Sequence, residues 1–432
     1  MVKGKKGLHG IRRFLSILGP GLITGASDDD PSGIATYSQA GARYGFSTLW
    51  TALITFPLMA AIQEMCARIG LATSHGLTGI LKQHYPRWVL YVMVLFSFPA
   101  IVMNIGADIA GMGAVGNLIF PRIRAEFFSI GFTVLLMLCI IYFPYRKIAN
   151  TLRYLAMVLL VYLIVPFLSH THWLDVLKAT VIPHISLNKD YLAILVGILG
   201  TTISPYLFFW QANMEVEELQ DKEEALHRVI VPGRRMYREM REDVNVGMLF
   251  SNVVMFFIIL TTGSVLATGG IRHIDTVEQA AQALRPLAGD LAYYLFALGV
   301  IGTGLLAIPV LSGTLSYIFS ETFGIEMGLN KKFHEARGFY IMMVVSLVAG
   351  LAMNYLGISP VKALLYSAIL YGVTAPVIIA MILHICNNKQ IMGKHINNKR
   401  SNILGVSTFI LMTAAALALL YYQFIAAYFP AR

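Results

Sequence analysis

The sequence predicts an all-α integral membrane protein of eleven transmembrane helices, and three observations carry that expectation. Of its 432 residues, 57% are hydrophobic and only 13% charged, with a mean hydropathy of +0.67. Soluble domains carry about 25% charged residues, and their cores stop growing beyond roughly 250–300 residues. Lipid can cover the apolar surface that one core cannot hide. The apolar runs are long and do not alternate, and hydrocarbon requires each spanning segment to satisfy its own backbone, so they read as helices.

The segments fall near 14–41, 47–71, 88–118, 126–144, 152–169, 190–211, 244–268, 289–319, 338–356, 360–385 and 402–428. Most exceed the roughly 20 residues that a spanning helix needs. The basic start, Met1 to Arg13, and the apolar stretch after it resemble a secretory leader. That stretch runs into Asp28-Asp29-Asp30-Pro31 without a small-residue cleavage site, so it is expected to stay as the first helix. Residues 1–432 read as one membrane domain with no second soluble domain. The longest polar connection, Gln211 to Asp243, is expected to hold a short surface helix.

Lys and Arg set the orientation. The N-terminus and the connections after even-numbered helices carry 24 of the 33 basic residues. This places the N-terminus in the cytoplasm and, after eleven helices, Arg432 outside a plasma (inner) membrane. The net charge of +10 is therefore a topology signal and not a nucleic-acid surface. The three cysteines, Cys66, Cys139 and Cys386, are far apart and read as small buried thiols. No nucleophile–base pair, zinc motif or phosphate loop points to an enzyme, and neither a cofactor nor an obligatory protein partner is evident.

Two segments are interrupted. Ser27-Asp28-Asp29-Asp30-Pro31-Ser32-Gly33 breaks the first and Thr201-Thr202-Ile203-Ser204-Pro205-Tyr206 the sixth. Proline removes a backbone donor and clashes with the preceding turn, so each site should unwind. Interruptions at matching positions of two halves point to a transporter site. A five-helix period inverts the second copy, predicting repeats at 14–169 and 190–385 with helix 402–428 appended. Read as isolated kinks, the breaks would carry no such meaning, but they match in position and stand beside three acids.

A carboxylate at bilayer depth costs about 2.5–3.5 kcal/mol or more. Asp30 is expected to bind a cation at the break, with Asp28 or Asp29 lining its vestibule. A solvated cap at the membrane surface is the alternative; the apolar runs on both sides weigh against it. Thr201, Ser204 and the freed carbonyls add hard oxygen donors, and neither break contains Met, Cys or His. Oxygen-only sites favour Mg²⁺, Ca²⁺ or Mn²⁺. Gly33, Thr201 and Ser204 are small enough to leave room for waters that Mg²⁺ sheds reluctantly. Elsewhere, Asn104 and Asp108 stand one turn apart on helix three, Glu64 with Gln63 suits a structural hydrogen bond, and Thr374 beside Pro376 suits either a kink or a bound water.

The run Gly19-Pro20-Gly21-Leu22, Asp30-Pro31-Ser32-Gly33-Ile34-Ala35-Thr36 and Gln39-Ala40-Gly41-Ala42 resembles the first helix of the Nramp family of divalent-metal transporters, whose signature there is D-P-G-N-x-A-T followed by Q-A-G-A. Ser204-Pro205-Tyr206 is similar to its sixth-helix M-P-H motif. The resemblance implies a LeuT-type fold and alternating access, with the lipid bilayer and a divalent ion as the partners. It also implies that Asp30 is kept as a metal ligand, while Gly33 stands at the family's Asn, Ser204 at its Met and Thr201 at a residue lending its carbonyl. The two histidines of proton-coupled members fall on Tyr206 and Gln211. A helix-three Asp is kept as Asp108, but its companion Glu falls on Gly111, and Thr374 falls near a metal-proximal Gln. This pattern is most similar to the divergent Nramp-related magnesium transporters. The function expected is carriage of Mg²⁺, and of Mn²⁺ as well, as transported substrate and without proton coupling. The alternative is a proton-coupled Mn²⁺/Fe²⁺ importer. An amino-acid carrier of similar fold is disfavoured, because Asp30 would repel a substrate carboxylate.

Overall fold

A computed structural model describes residues 20–143, 157–169 and 171–425, and among them the regular structure is entirely helical. Among the described residues, nine helical stretches are long and apolar enough to cross a membrane. Numbered by their place among the eleven expected segments, they are span two (Trp50–Thr73), three (Arg87–Ile119), four (Ala125–Tyr142), six (Lys189–Leu226), seven (Arg234–Ala267), eight (Val277–Phe323), nine (Arg337–Leu356), ten (Pro360–Asn387) and eleven (Lys399–Phe424). Span one is split into Pro20–Asp28 and Pro31–Tyr44, each half too short alone. Span five is described only as Val158–Leu168. The basic Met1–Arg13, Gly19 of the first motif, residues 152–156 of the fifth segment, and Arg432 lie outside the described residues.

The polar stretch from Gln211 to Asp243 corrects an expectation. It holds no separate surface helix: span six continues to Leu226, span seven starts at Arg234, and only 227–233 link them. Glu, Gln, Lys and Leu are good helix formers, so loss of hydropathy ends the span without ending the helix. Pairs one turn apart support the extensions, Glu218 with Lys222 at 2.6 Å and Arg235 with Glu239 at 2.7 Å. His227, in the left-handed region at φ 48°, closes span six.

Span six is almost wholly enclosed, whereas spans four and eleven expose apolar side chains such as Phe127, Ile410 and Leu417 where lipid would lie. The broken spans are therefore the inner ones. Small residues let their backbones approach their neighbours closely. A Cβ on Gly200 would fall 2.2 Å from the Ala368 carbonyl oxygen, which seats the sixth break directly on span ten. The N-terminal half of span one lies on span seven in the same way. A Cβ on Gly25 would fall 2.1 Å from the Gly247 oxygen, and one on Gly247 only 1.9 Å from the Gly21 oxygen. At the start of that half-helix, Asp243 of span seven accepts from the Gly21 N–H at 2.6 Å and the Leu22 N–H at 3.2 Å. It thereby satisfies donors that a helix start leaves unpaired.

Candidate cation site at the two helix breaks

At the first break the chain leaves helical geometry at Asp29 and re-enters at Pro31, with Asp30 as N-cap. Proline suits the first helical position because its missing N–H has no partner there anyway. Asp30 Oδ1 accepts from the Gly33 N–H at 2.7 Å, and Oδ2 accepts from Asn104 Nδ2 of span three at 2.8 Å. Gly33 faces the other break: a Cβ built on it would lie 3.2 Å from Thr201 Oγ1 and 3.4 Å from the Asp28 carbonyl oxygen. Asp30, Gly33 and Thr201 are thus brought together.

At the sixth break Ser204 is the N-cap and Pro205 the first helical residue. The Ser204 hydroxyl does not cap its own helix. It lies 2.5 Å from the Thr201 carbonyl oxygen, to which it donates, and 3.4 Å from Asp28 Oδ1. Asp28 is the carboxylate that turns toward Ser204, and its stronger bond comes from span seven, where Ser251 donates to Oδ2 at 2.6 Å. Asp29 Oδ1 lies 3.4 Å from the same serine, and its Oδ2 has no partner. All three carboxylates are at most 2% exposed, so the break is closed off. No salt bridge among the described residues involves them or Asp108.

The remaining expected residues divide. Tyr206 reaches back across the site, its hydroxyl donating to the Ser27 carbonyl at 2.9 Å. Gln211 sits away from the breaks, about 10 Å along the helix from Ser204 at 1.5 Å per residue. There it accepts from Thr24 at 2.6 Å and donates to Glu215 at 2.9 Å. Thr374 turns its hydroxyl onto its own helix, 3.0 Å from the Leu370 oxygen. Tyr371, one turn earlier, is a span-ten side chain near Asp30 and Asp108, with its ring 5.6 Å from that of Tyr206. Asp108 is fully buried, and Glu64 pairs with Arg241 at 2.9 Å. Ser251 and Tyr371 were not anticipated. Ser251-Asn252, a polar pair within an apolar segment, was the available signal for the first; a lone aromatic gave none for the second.

Chemically the breaks offer carboxylate, hydroxyl and carbonyl oxygens. Among the described residues no three His, Cys, Asp or Glu side chains converge into a metal cage. Two proline-broken helices that meet inside a helical bundle, with acids at the break, define the architecture of a secondary transporter.

The chain belongs to the Nramp family: residues 21–422 match the model for natural resistance-associated macrophage protein-like proteins. It is 28% identical over 417 residues to the divalent metal cation transporter MntH of Chromohalobacter salexigens, covering 94% of this chain and 90% of that protein. The structure of the Eremococcus coleocola manganese transporter, in complex with an aromatic bis-isothiourea substituted compound, superposes with a TM-score of 0.73 at 18% identity, over 98% of this chain and 89% of that one. The crystal structure of MhsT in complex with L-phenylalanine superposes with a TM-score of 0.60 at 11% identity, over 94% of this chain and 98% of that one. The fold is of the LeuT type, and the protein is a multi-pass membrane protein.

Proposed function

We propose that this Nramp-family protein is a divalent metal cation transporter whose main cargo is Mg²⁺, with Mn²⁺ also carried, by alternating access and without proton coupling. Residues 14–169 and 190–385 form the two inverted halves, and 402–428 is an appended helix. The N-terminus faces the cytoplasm across the inner membrane, and Arg432 lies outside. The ion sits beside Asp30, between Gly33, Thr201 and Ser204, and keeps part of its water shell. Asp28 and Asp29 supply further negative charge.

The observation that carries this is the donor set at the breaks. Every side chain there that can face an ion offers oxygen, and the positions that the resemblance assigns to Asn and Met hold Gly33 and Ser204. Without a thioether, nothing favours a softer ion. With so few direct donors, an ion that dehydrates reluctantly is the better occupant. Tyr206, Gln211 and Gly111 stand where proton-coupled members carry titratable groups, which supports uncoupled transport. A Cβ at Gly111 would already lie 3.2 Å from Leu364 and 3.6 Å from Pro31, so a longer acid would crowd the break.

The test is ion flux into proteoliposomes with Mg²⁺, Mn²⁺, Ca²⁺ and Fe²⁺, with internal pH read in parallel. The expected result is Mg²⁺ uptake, competition by Mn²⁺, weaker Ca²⁺ passage and no acidification. A second reading, a proton-coupled Mn²⁺/Fe²⁺ importer, is favoured by one observation, the retained Asp108. Stoichiometric acidification during uptake would establish it instead.

A further inference from the structure

Span three and span ten place a second group of polar atoms against Asp30. Asp108 is 0% exposed, and neither of its carboxylate oxygens has a hydrogen-bond partner. Asn104 Oδ1 and the Tyr371 hydroxyl, equally buried, are also without partners. The Ser32 N–H comes near Asp108, and Asn104 comes near Tyr371, without either closing a hydrogen bond. A native fold rarely leaves so many buried polar atoms unsatisfied in one place. Each of these orphan atoms can act as an acceptor. Carboxylate oxygens can only accept. The orientation of the Asn104 amide is fixed because its nitrogen donates to Asp30 Oδ2, so the oxygen left over is an acceptor. The tyrosine hydroxyl can accept as well as donate.

We infer that Asn104, Asp108 and Tyr371 accept hydrogen bonds from the coordinated waters of the transported ion and so select the hydrated divalent cation. A metal-bound water turns its oxygen to the ion and only O–H groups outward. The outer face of a hydrated ion is therefore a set of donors, the complement of what spans three and ten leave unpaired. Asn104 has a double part, since its nitrogen also positions the Asp30 carboxylate. A stripped ion would leave these acceptors orphaned, and burying them unpaired is costly. The inference rests on the proposed hydrated site and adds which residues recognise the hydration shell.

The test uses the full-length protein with Mn²⁺ as a paramagnetic probe and Mg²⁺ as its competitor. Deuteron hyperfine spectroscopy in D₂O counts the waters on bound Mn²⁺. Mg²⁺ and Mn²⁺ binding is then measured for wild type, for Asp108→Asn and Tyr371→Phe, both near-isosteric, for Gly33→Asn/Ser204→Met, and for Asp108→Asn combined with Gly33→Asn/Ser204→Met; thermal unfolding reports whether each variant is folded. The expected result is several retained waters in wild type. Mg²⁺ affinity should fall about tenfold in Asp108→Asn and about threefold in Tyr371→Phe, as loss of hydrogen bonds to a charged and a neutral acceptor implies. In the Gly33→Asn/Ser204→Met background the ion has exchanged waters for protein ligands, so the Asp108→Asn effect on Mn²⁺ should shrink to about twofold or less, a coupling read as a double-mutant cycle. Retained waters with unchanged affinity in both single variants would overturn this inference and leave the hydrated site standing. An equal loss in both backgrounds would make Asp108 a purely structural residue. A Mn²⁺ ion without waters in wild type would overturn both.

Discussion

At the first break Asp30 precedes Pro31, and its carboxylate turns onto Gly33 and Asn104; at the sixth, Ser204 precedes Pro205, and its hydroxyl turns back onto Thr201. The backbone device is the same in both, an N-cap followed by proline. The charge is not: three carboxylates cluster at one break and none at the other. The first break can supply attraction over several ångströms, whereas the second offers only short-range dipoles. On the proposed function, charge from the first break would chiefly set affinity and the small uncharged groups facing each other across the breaks would chiefly set the choice of ion.

The largest expected effect comes from removing the charge. In Asp30→Ala, Mg²⁺ flux should fall to background while the protein still purifies as a folded species. Asp30→Asn sharpens the point, because asparagine still caps the helix but brings no negative charge. Near-normal flux in either variant would mean that the break does not hold the ion.

A selectivity change should follow from the second break and its facing glycine. Gly33→Asn together with Ser204→Met should shift preference toward Mn²⁺ by about tenfold, roughly 1.4 kcal/mol, and lower Mg²⁺ flux. The Gly33 site admits a side chain if Thr201 gives way by a few tenths of an ångström, since the built Cβ stands 3.2 Å away. Competition flux decides it, and an unchanged Mg²⁺/Mn²⁺ ratio would show that these positions do not select.

The smallest effect tests the carboxylate between the breaks. Ser251→Ala removes the 2.6 Å bond to Asp28. Losing a hydrogen bond to a charged group costs about 1.5–3 kcal/mol at most, and the ion can replace part of it. Mg²⁺ binding measured calorimetrically should weaken several-fold, and far less than in Asp30→Ala. A loss as complete as that of Asp30→Ala would move the centre of the site to Asp28.

Both breaks were legible in the sequence because proline and a buried acid are each costly in a membrane helix and therefore conspicuous. The spans were legible because hydropathy is summed over some twenty residues. Directions of single side chains were not. Nothing in Ser27-Asp28-Asp29-Asp30 says that Asp28 turns to Ser204 and Ser251 while Asp30 turns to Asn104, since that depends on how spans three and seven pack. The join between spans six and seven was misjudged for a related reason. Hydropathy marks where lipid ends, whereas helix propensity and charge pairs decide where the helix ends, and from Gln211 to Leu226 the two differ by about four turns at 3.6 residues each.

The glycine contact between Pro20–Asp28 and span seven has a mechanical consequence. With Gly21, Gly25 and Gly247 at the contact, main chain lies on main chain. Dispersion between such surfaces fades within a gap of 0.5–1 Å, which forfeits roughly a quarter to a half of the well. The attraction therefore falls off steeply as soon as the contact parts, and in the seated position Asp243 also bonds the first two N–H groups of the half-helix. The nine-residue half-helix is therefore held as a short-range clasp, whose grip depends on main chain staying against main chain.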